Sequence, residues 1–157
     1  MVIQQKGFLV AGISARTNNA AEMSGRGKIG SLWQTFLQTN LAATIPNKLD
    51  SNLIAVYSNY ESDHTGDFTF HLGAAISSID NLPSGLSAVD VSAGRYAVIT
   101  SDSGPVTQVV PAVWQRIWSM SPEELGGRRA FAVDYELYDH RAADPQNTQV
   151  DVHISIR

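Results

Sequence analysis

The sequence predicts an α+β fold in which duplicated β-α-β-β units form one antiparallel sheet, with two main helices on one face and a central cleft. Three observations predict it. The order strand, helix, strand, strand runs twice along the 157 residues. The densest mid-chain punctuation, "NLPSGL" (81–86), falls between the two runs. Residues also echo across that boundary: "LWQTF" (32–36) resembles "VWQRI" (113–117), and "NYESDH" (59–64) resembles "DYELYDH" (134–140) with one residue inserted. The expected organisation is a single domain, 1–157, with pseudo-repeats at 1–80 and 86–157.

In the first half, "GFLVAGISART" (7–17) is apolar and rich in β-formers, which predicts a strand. A polar, Gly-bearing loop follows, and 29–41 then changes period. Ile29, Leu32 and Phe36 fall at helical spacing, flanked by Trp33 and Leu37. "LIAVYSNYES" (53–62) and "DFTFHLGAAIS" (67–77) read as two strands around a hairpin turn, "DHTG".

The second half repeats the order. "SAVDVSAGRYAVIT" (87–100) predicts a strand with a bulge at Ala93-Gly94. "SGPVTQVVPAVWQRIWSM" (103–120) predicts a helix striped by Val106, Val109/Val110, Val113, Ile117 and Met120; Pro105 suits its start, but Pro111, a residue that breaks the ladder inside a helix, leaves the position of that start open. "SPEELGGRR" ends that helix. "AFAVDYELYD" and "TQVDVHISIR" are the last two strands, the final one alternating Val150, Val152, Ile154 and Ile156. Two such units merging edge to edge hide sheet edges, and a cleft at their junction is a common place for a ligand.

The strand over 131–140 carries the main chemical signal. Period-two alternation puts Phe131, Val133, Tyr135 and Leu137 on one side, and Ala132, Asp134, Glu136 and Tyr138 on the other. The bland reading of the acidic side is a solvated sheet face, with Glu136 paired to Arg95, Arg128 or Arg129. The tryptophans favour another. Trp114 and Trp118 are four apart and stack on one flank of their helix, about 100° from Val113. Trp33 holds the same offset on the first helix. An aromatic wall facing Glu136 and Tyr138, with Tyr57 and Tyr60 beside it, makes a pocket for an organic cation. Each ring contributes about 0.5–2 kcal/mol, and an unpaired buried carboxylate gains a partner.

Composition excludes several classes. A hydrophobic fraction of 43% and a charged fraction of 17% belong to a globular chain rather than a disordered one. The net charge of −4 and scattered Lys and Arg predict no direct nucleic-acid binding. With no cysteine, disulfides and thiol chemistry are excluded. His64, His71, His140 and His153 show no paired ligand spacing, so no metal is predicted, and no cofactor. There is no GxSxG elbow, and "SGRGKIGS" (24–31) lacks the phosphate-loop pattern. No catalytic residue is assigned. Without a signal peptide or an apolar stretch of membrane length, the expectation is a cytoplasmic protein with no membrane partner.

In order along nearly the whole chain, "VAGISARTNN", "IGSLWQTF", "AVYSNYESDHTGDFTFHLGAAI", "LPSGLSAVDVSAGRYAVITSDSGP", "VWQRIWSM" and "FAVDYELYD…VDVHISI" resemble the GyrI-like small-molecule-binding domain, also called the AraC-type or bacterial transcription activator effector-binding domain. The resemblance implies a duplicated β-α-β-β fold and a cleft for hydrophobic, often cationic or aromatic, drug-like compounds. It places a cleft-floor glutamate at Glu136, through "YELY", and aromatic positions at Trp33, Trp114, Trp118, Tyr60 and Tyr138. Many relatives carry a helix-turn-helix, whereas this chain starts almost at its first strand, and its ending "HISI" lacks the proline that often closes the family's last strand. The expected function is therefore a stand-alone module that senses or sequesters cationic, hydrophobic small molecules. The alternatives are a hydrolase in which Glu136 and a tyrosine activate water, and a protein-interaction module of the gyrase-inhibitor type. A homodimer or a protein partner is compatible with the sequence.

Overall fold

Eight β-forming stretches pair side by side into one antiparallel sheet. The computed structural model describes residues 1–157. In chain order the strands are β1 (Val2–Gln5), β2 (Phe8–Asn18), β3 (Leu53–Ser58), β4 (Asp67–Ile76), β5 (Ser87–Val91), β6 (Gly94–Thr100), β7 (Arg129–Tyr138) and β8 (Asp151–Ile156). The helices are α1 (Asn19–Met23), α2 (Ile29–Gln38), α3 (Val106–Ser119) and α4 (Pro122–Leu125). The sheet order is β1-β6-β8-β7-β3-β4-β2-β5, so β6-β8-β7 in one half mirrors β2-β4-β3 in the other. The seam between halves is the β3·β7 pair. None of the helices is long and apolar enough to cross a membrane.

Alternation decides which side chains meet the helices. Phe68, Phe70, Leu72, Ala74 and Ile76 of β4, with Val152, Ile154 and Ile156 of β8, form the larger core with Phe36 of α2 and Val113, Trp114 and Ile117 of α3. The opposite face also buries a cluster, including Val10, Val56, Val91, Tyr96, Val133 and Tyr135, with no helix over it. The sheet's own curvature covers that cluster. β1 leads directly into β2, and β5 into β6, although each pair stands at opposite ends of the sheet order. The registers Gln5↔Gly94 and Phe8↔Val91 flank the join, making one antiparallel ribbon of β1 and the start of β2 with β5 and β6. The ribbon draws the sheet's ends together, and Phe8 meets Tyr135 at 5.4 Å between ring centres.

Several expected elements are revised. The predicted strand over 87–100 is two strands, because Ser92 and Ala93 make the crossing from β5 to β6. β3 stops at Ser58, where Asn59 turns to φ 54°. The second sequence echo therefore fails by position: 59–64 lie in a loop, whereas Asp134–Tyr138 lie within β7. "SPEELGG" forms its own helix, α4, closed by reciprocal bonds between Ser121 and Glu124 and by Gly126 at φ 92°. α3 begins after Pro105 and runs on through Pro111, which removes one hydrogen bond of the ladder near its first turn.

Phe131 also departs from alternation. It takes φ 50°, and a register irregularity separates Arg129 from Asp134 in the β7·β8 pairing. This bulge turns its ring away from Val133 and Tyr135 and towards Tyr60, 5.7 Å between centres.

Gly12 and Gly73 face each other across β2 and β4. A Cβ at Gly73 would overlap the carbonyl of Ala11, and one at Gly12 the carbonyl of Leu72. Gly73→Ala is expected to cost about 1–3 kcal/mol, as overpacking does. Gly30→Ala in α2 meets open space and should gain up to about 1 kcal/mol from helix propensity. Thermal unfolding followed by circular dichroism separates the two; equal melting temperatures would contradict this account of the sheet.

Candidate functional site

The seam sets the site's geometry. Pairing of β3 with β7 puts Ala55 opposite Glu136, Tyr57 opposite Asp134 and Leu53 opposite Tyr138. Tyr57 and Glu136 are thus diagonal neighbours on the helix side, within reach of each other's long side chains. Trp114 descends on them from α3.

Glu136 is only 1% exposed, yet it is not unpaired. Its Oε2 accepts from Tyr57 Oη at 2.9 Å and from Trp114 Nε1 at 2.6 Å, and its Oε1 accepts from Tyr138 Oη at 2.7 Å. No arginine reaches it. Burial pushes its carboxyl above the ordinary value, and the bonds from Trp114, Tyr138 and Tyr57 act against that rise. Burial and the Glu136 charge hold the phenols of Tyr57 and Tyr138 far above the ordinary tyrosine value, so both remain donors.

A cavity of about 510 Å³ lies in front of this cluster. Its aromatic wall comprises Tyr57, Tyr60, Phe68, Trp114 and Trp118, and Met23, Ile29, Val110 and Pro111 add apolar surface. His64 stacks on Trp118 at 6.2 Å between ring centres. Two charged groups also line it, Glu22 and Arg129. Glu22 accepts from Thr17 Oγ1 at 2.6 Å and from the Lys28 and Ile29 amides at 2.7 and 3.2 Å, tying α1 to the start of α2. Arg129 donates to Asp134 Oδ2 at 2.7 Å, and Tyr60 Oη donates to the same oxygen at 2.6 Å. Asp134 is fully buried, so the acidic side of β7 is no solvated face.

The seven aromatic and acidic residues singled out from sequence divide into two groups. Tyr57, Tyr60, Trp114 and Trp118 line the cavity. Glu136 lies behind Tyr57 and Trp114, with Tyr138 and Trp33 beyond it; those last two rings meet edge to face at 4.8 Å. The reason is how each helix sits over the sheet: Trp33 and Trp114 have the same offset on their helices, but α3 directs its indole onto the carboxylate whereas Trp33 of α2 packs on Tyr138. Sequence reasoning missed Phe68, although its alternation with Phe70 marks it. The pairing of Arg129 with Asp134 was not anticipated, because the bulge that turns it there leaves no sequence signature; the bland alternative names Arg129, with Arg95 and Arg128, as a partner for Glu136. The loop over 139–149 lines a separate polar groove with Ser103, His140, Arg141 and Asp144, whereas the loop over 18–28 supplies Asn19, Glu22 and Met23 to the cavity.

Residues 2–156 match the family described as "Cass2: Integron-associated effector binding protein". The chain is 37% identical over 148 residues to YobU of Bacillus subtilis (strain 168), a protein with a transcriptional-regulator name, covering 94% of this chain and 91% of that one. An integron cassette protein from the mobile metagenome of Vibrio cholerae superposes with a TM-score of 0.78 at 31% identity, over 100% of this chain and 95% of that one. SAV2435, solved bound to tetraphenylphosphonium, shares the fold with a TM-score of 0.78 at 14% identity, over 100% of this chain and 93% of that one.

Folding raises the proton affinity of Glu136, so the folded chain holds this proton to higher pH than the unfolded chain does. Its contribution to stability is fully present below the ordinary value of 4.5 and is lost as pH rises through the raised folded value. Urea unfolding of wild type and Glu136→Gln at about pH 4 and about pH 7 isolates this effect. The stability difference should move against wild type at the higher pH; movement in the opposite direction would contradict the sign.

Proposed function

The chain belongs to the integron-associated effector-binding protein family, and from that premise we propose that it binds hydrophobic, aromatic organic cations to sense or sequester them. The observation that carries this reading is the bonding of Tyr57 and Trp114: both line the cavity, and both donate to the buried Glu136 behind them. The ligand stacks on their ring faces and on Tyr60 and Trp118. The carboxylate acts through the rings rather than by direct contact. Its charge polarises the two donors, enriches their faces in electron density and attracts a cation across a low-dielectric gap. Tyr138 bonds the carboxylate from the far side, and Trp33 packs on the Tyr138 ring. The tetraphenylphosphonium complex of SAV2435, a protein of the same fold, supports a large lipophilic cation as the ligand class.

Hydrolysis by a Glu136-activated water is the weaker reading. Both carboxylate oxygens already carry donors, and burial leaves no approach for a reacting atom.

Tryptophan quenching by a rhodamine dye should give binding in the micromolar range. Glu136→Gln is expected to weaken it by about tenfold or more, a loss of about 1.4 kcal/mol for each tenfold. A neutral analogue of similar shape should lose little in the same variant. Equal losses for charged and neutral dyes would remove the carboxylate from the mechanism.

The affinity for tetraphenylphosphonium, a permanent cation, also depends on pH. Only the ionised carboxylate attracts it, so affinity should climb as pH rises through the raised value of Glu136 and then level off. Calorimetric titrations across that range check the direction; affinity independent of pH, or falling with it, contradicts the proposal.

A further inference from the structure

Arg129 carries donor capacity that nothing inside the protein uses. Its side chain is 11% exposed and lines the cavity. The one hydrogen bond it makes runs from Nη2 to Asp134, while Nε is buried with no partner. A guanidinium offers five N–H donors, and a buried donor left unpaired is costly. Asp134 cannot absorb more, because its oxygens also accept from Tyr60 Oη and from the amide and hydroxyl of Ser155.

The group is held in place by its surroundings. The guanidinium carbon lies 4.2 Å from the centre of the Phe131 ring and 6.0 Å from those of Tyr60 and Trp114. Phe131 reaches its position only through a left-handed backbone, φ 50°, which an aromatic residue adopts at a cost. A strained bulge thus seats a planar cation against rings, and Nη1, which has no partner and is not fully buried, is the donor left for a molecule in the cavity that Arg129 lines.

We infer that Arg129 determines ligand specificity by receiving a hydrogen-bond acceptor, best an anionic oxygen such as a carboxylate, so that the preferred ligand is an aromatic zwitterion rather than a bare cation. This rests on the cation-binding reading and adds a second pole to it. Glu136 acts from behind Tyr57 and Trp114, whereas Arg129 stands beside Tyr60 and Trp114. A ligand with one charge of each sign is oriented along the wall between them. The guanidinium can bond Asp134 through Nη2 and still offer Nη1 to a carboxylate, a division that the point charge of lysine cannot hold in the same fixed geometry.

The test compares rhodamine B, which carries a free carboxylate, with the corresponding rosamine, which lacks it, by tryptophan quenching near neutral pH. Wild type is expected to favour rhodamine B by about tenfold, the scale of one charge-assisted hydrogen bond. Arg129→Met should bring the ratio of affinities to about one, and Arg129→Lys, which keeps a cation beside Asp134, should bring it to an intermediate value. If Arg129→Met does not fold, the wild-type ratio and the lysine variant decide the matter. Rosamine bound as tightly as rhodamine B by wild type overturns this inference and leaves the cation reading standing. A preference that persists unchanged in the variants also overturns it. Failure of wild type to bind either dye overturns both readings.

Discussion

Everything at the site follows from one buried carboxylate and the three ring donors that hold it. Glu136 belongs to β7, Tyr57 to β3, Trp114 to α3 and Tyr138 to β7. The bonds therefore join both halves of the sheet and one of its covering helices. A carboxylate removed from water needs compensation for its lost hydration, and here neutral donors provide it, with no cation inside the protein. When ionised, this carboxylate is therefore satisfied in hydrogen bonds but not neutralised by a cation of the protein. The distinction matters: a salt-bridged glutamate has no long-range attraction to offer, and an unpaired one would disrupt the core.

A second carboxylate, one alternation step away, meets a different solution. Asp134 is neutralised by Arg129 and also bonded by Tyr60 and Ser155. Two acids on the same face of one strand are thus kept in separate electrostatic states by their neighbours. The bulge before Asp134 makes this possible, because it brings Arg129 back over the sheet face that regular alternation would deny it. Local strain at Phe131 and the charge pattern of the cavity wall are one structural feature.

The sheet's curvature provides the frame. A flat sheet of eight strands covered by helices on one side would leave Val56, Val133 and Tyr135 in water. Running β1 into β2 and β5 into β6 closes the sheet on itself and buries those residues. Glycine at 12 and 73 permits the strand approach involved, since no side chain fits between the backbones there. With the reverse face closed, ligand-sized space remains among α1, α2, α3 and the seam.

Much of this was legible in the sequence alone. Period two in "FHLGAAI" and "VDVHISI", period 3.6 around Trp33 and Trp114, and the order of elements determined the class of fold, because burial of alternating apolar side chains admits few other arrangements. The same alternation put Glu136 on one face with Asp134 and Tyr138, while its meeting with aromatic residues of both halves was an expectation from the tryptophan spacing and the family resemblance. Three things were decided only by tertiary structure. Hydrogen bonding of Glu136 depends on side-chain directions across strands far apart in sequence. The exclusion of Trp33 from the cavity depends on how α2 sits over the sheet, and the pairing of Arg129 with Asp134 depends on a bulge. Local periodicity determines which face a residue occupies; long-range packing determines whom it meets there.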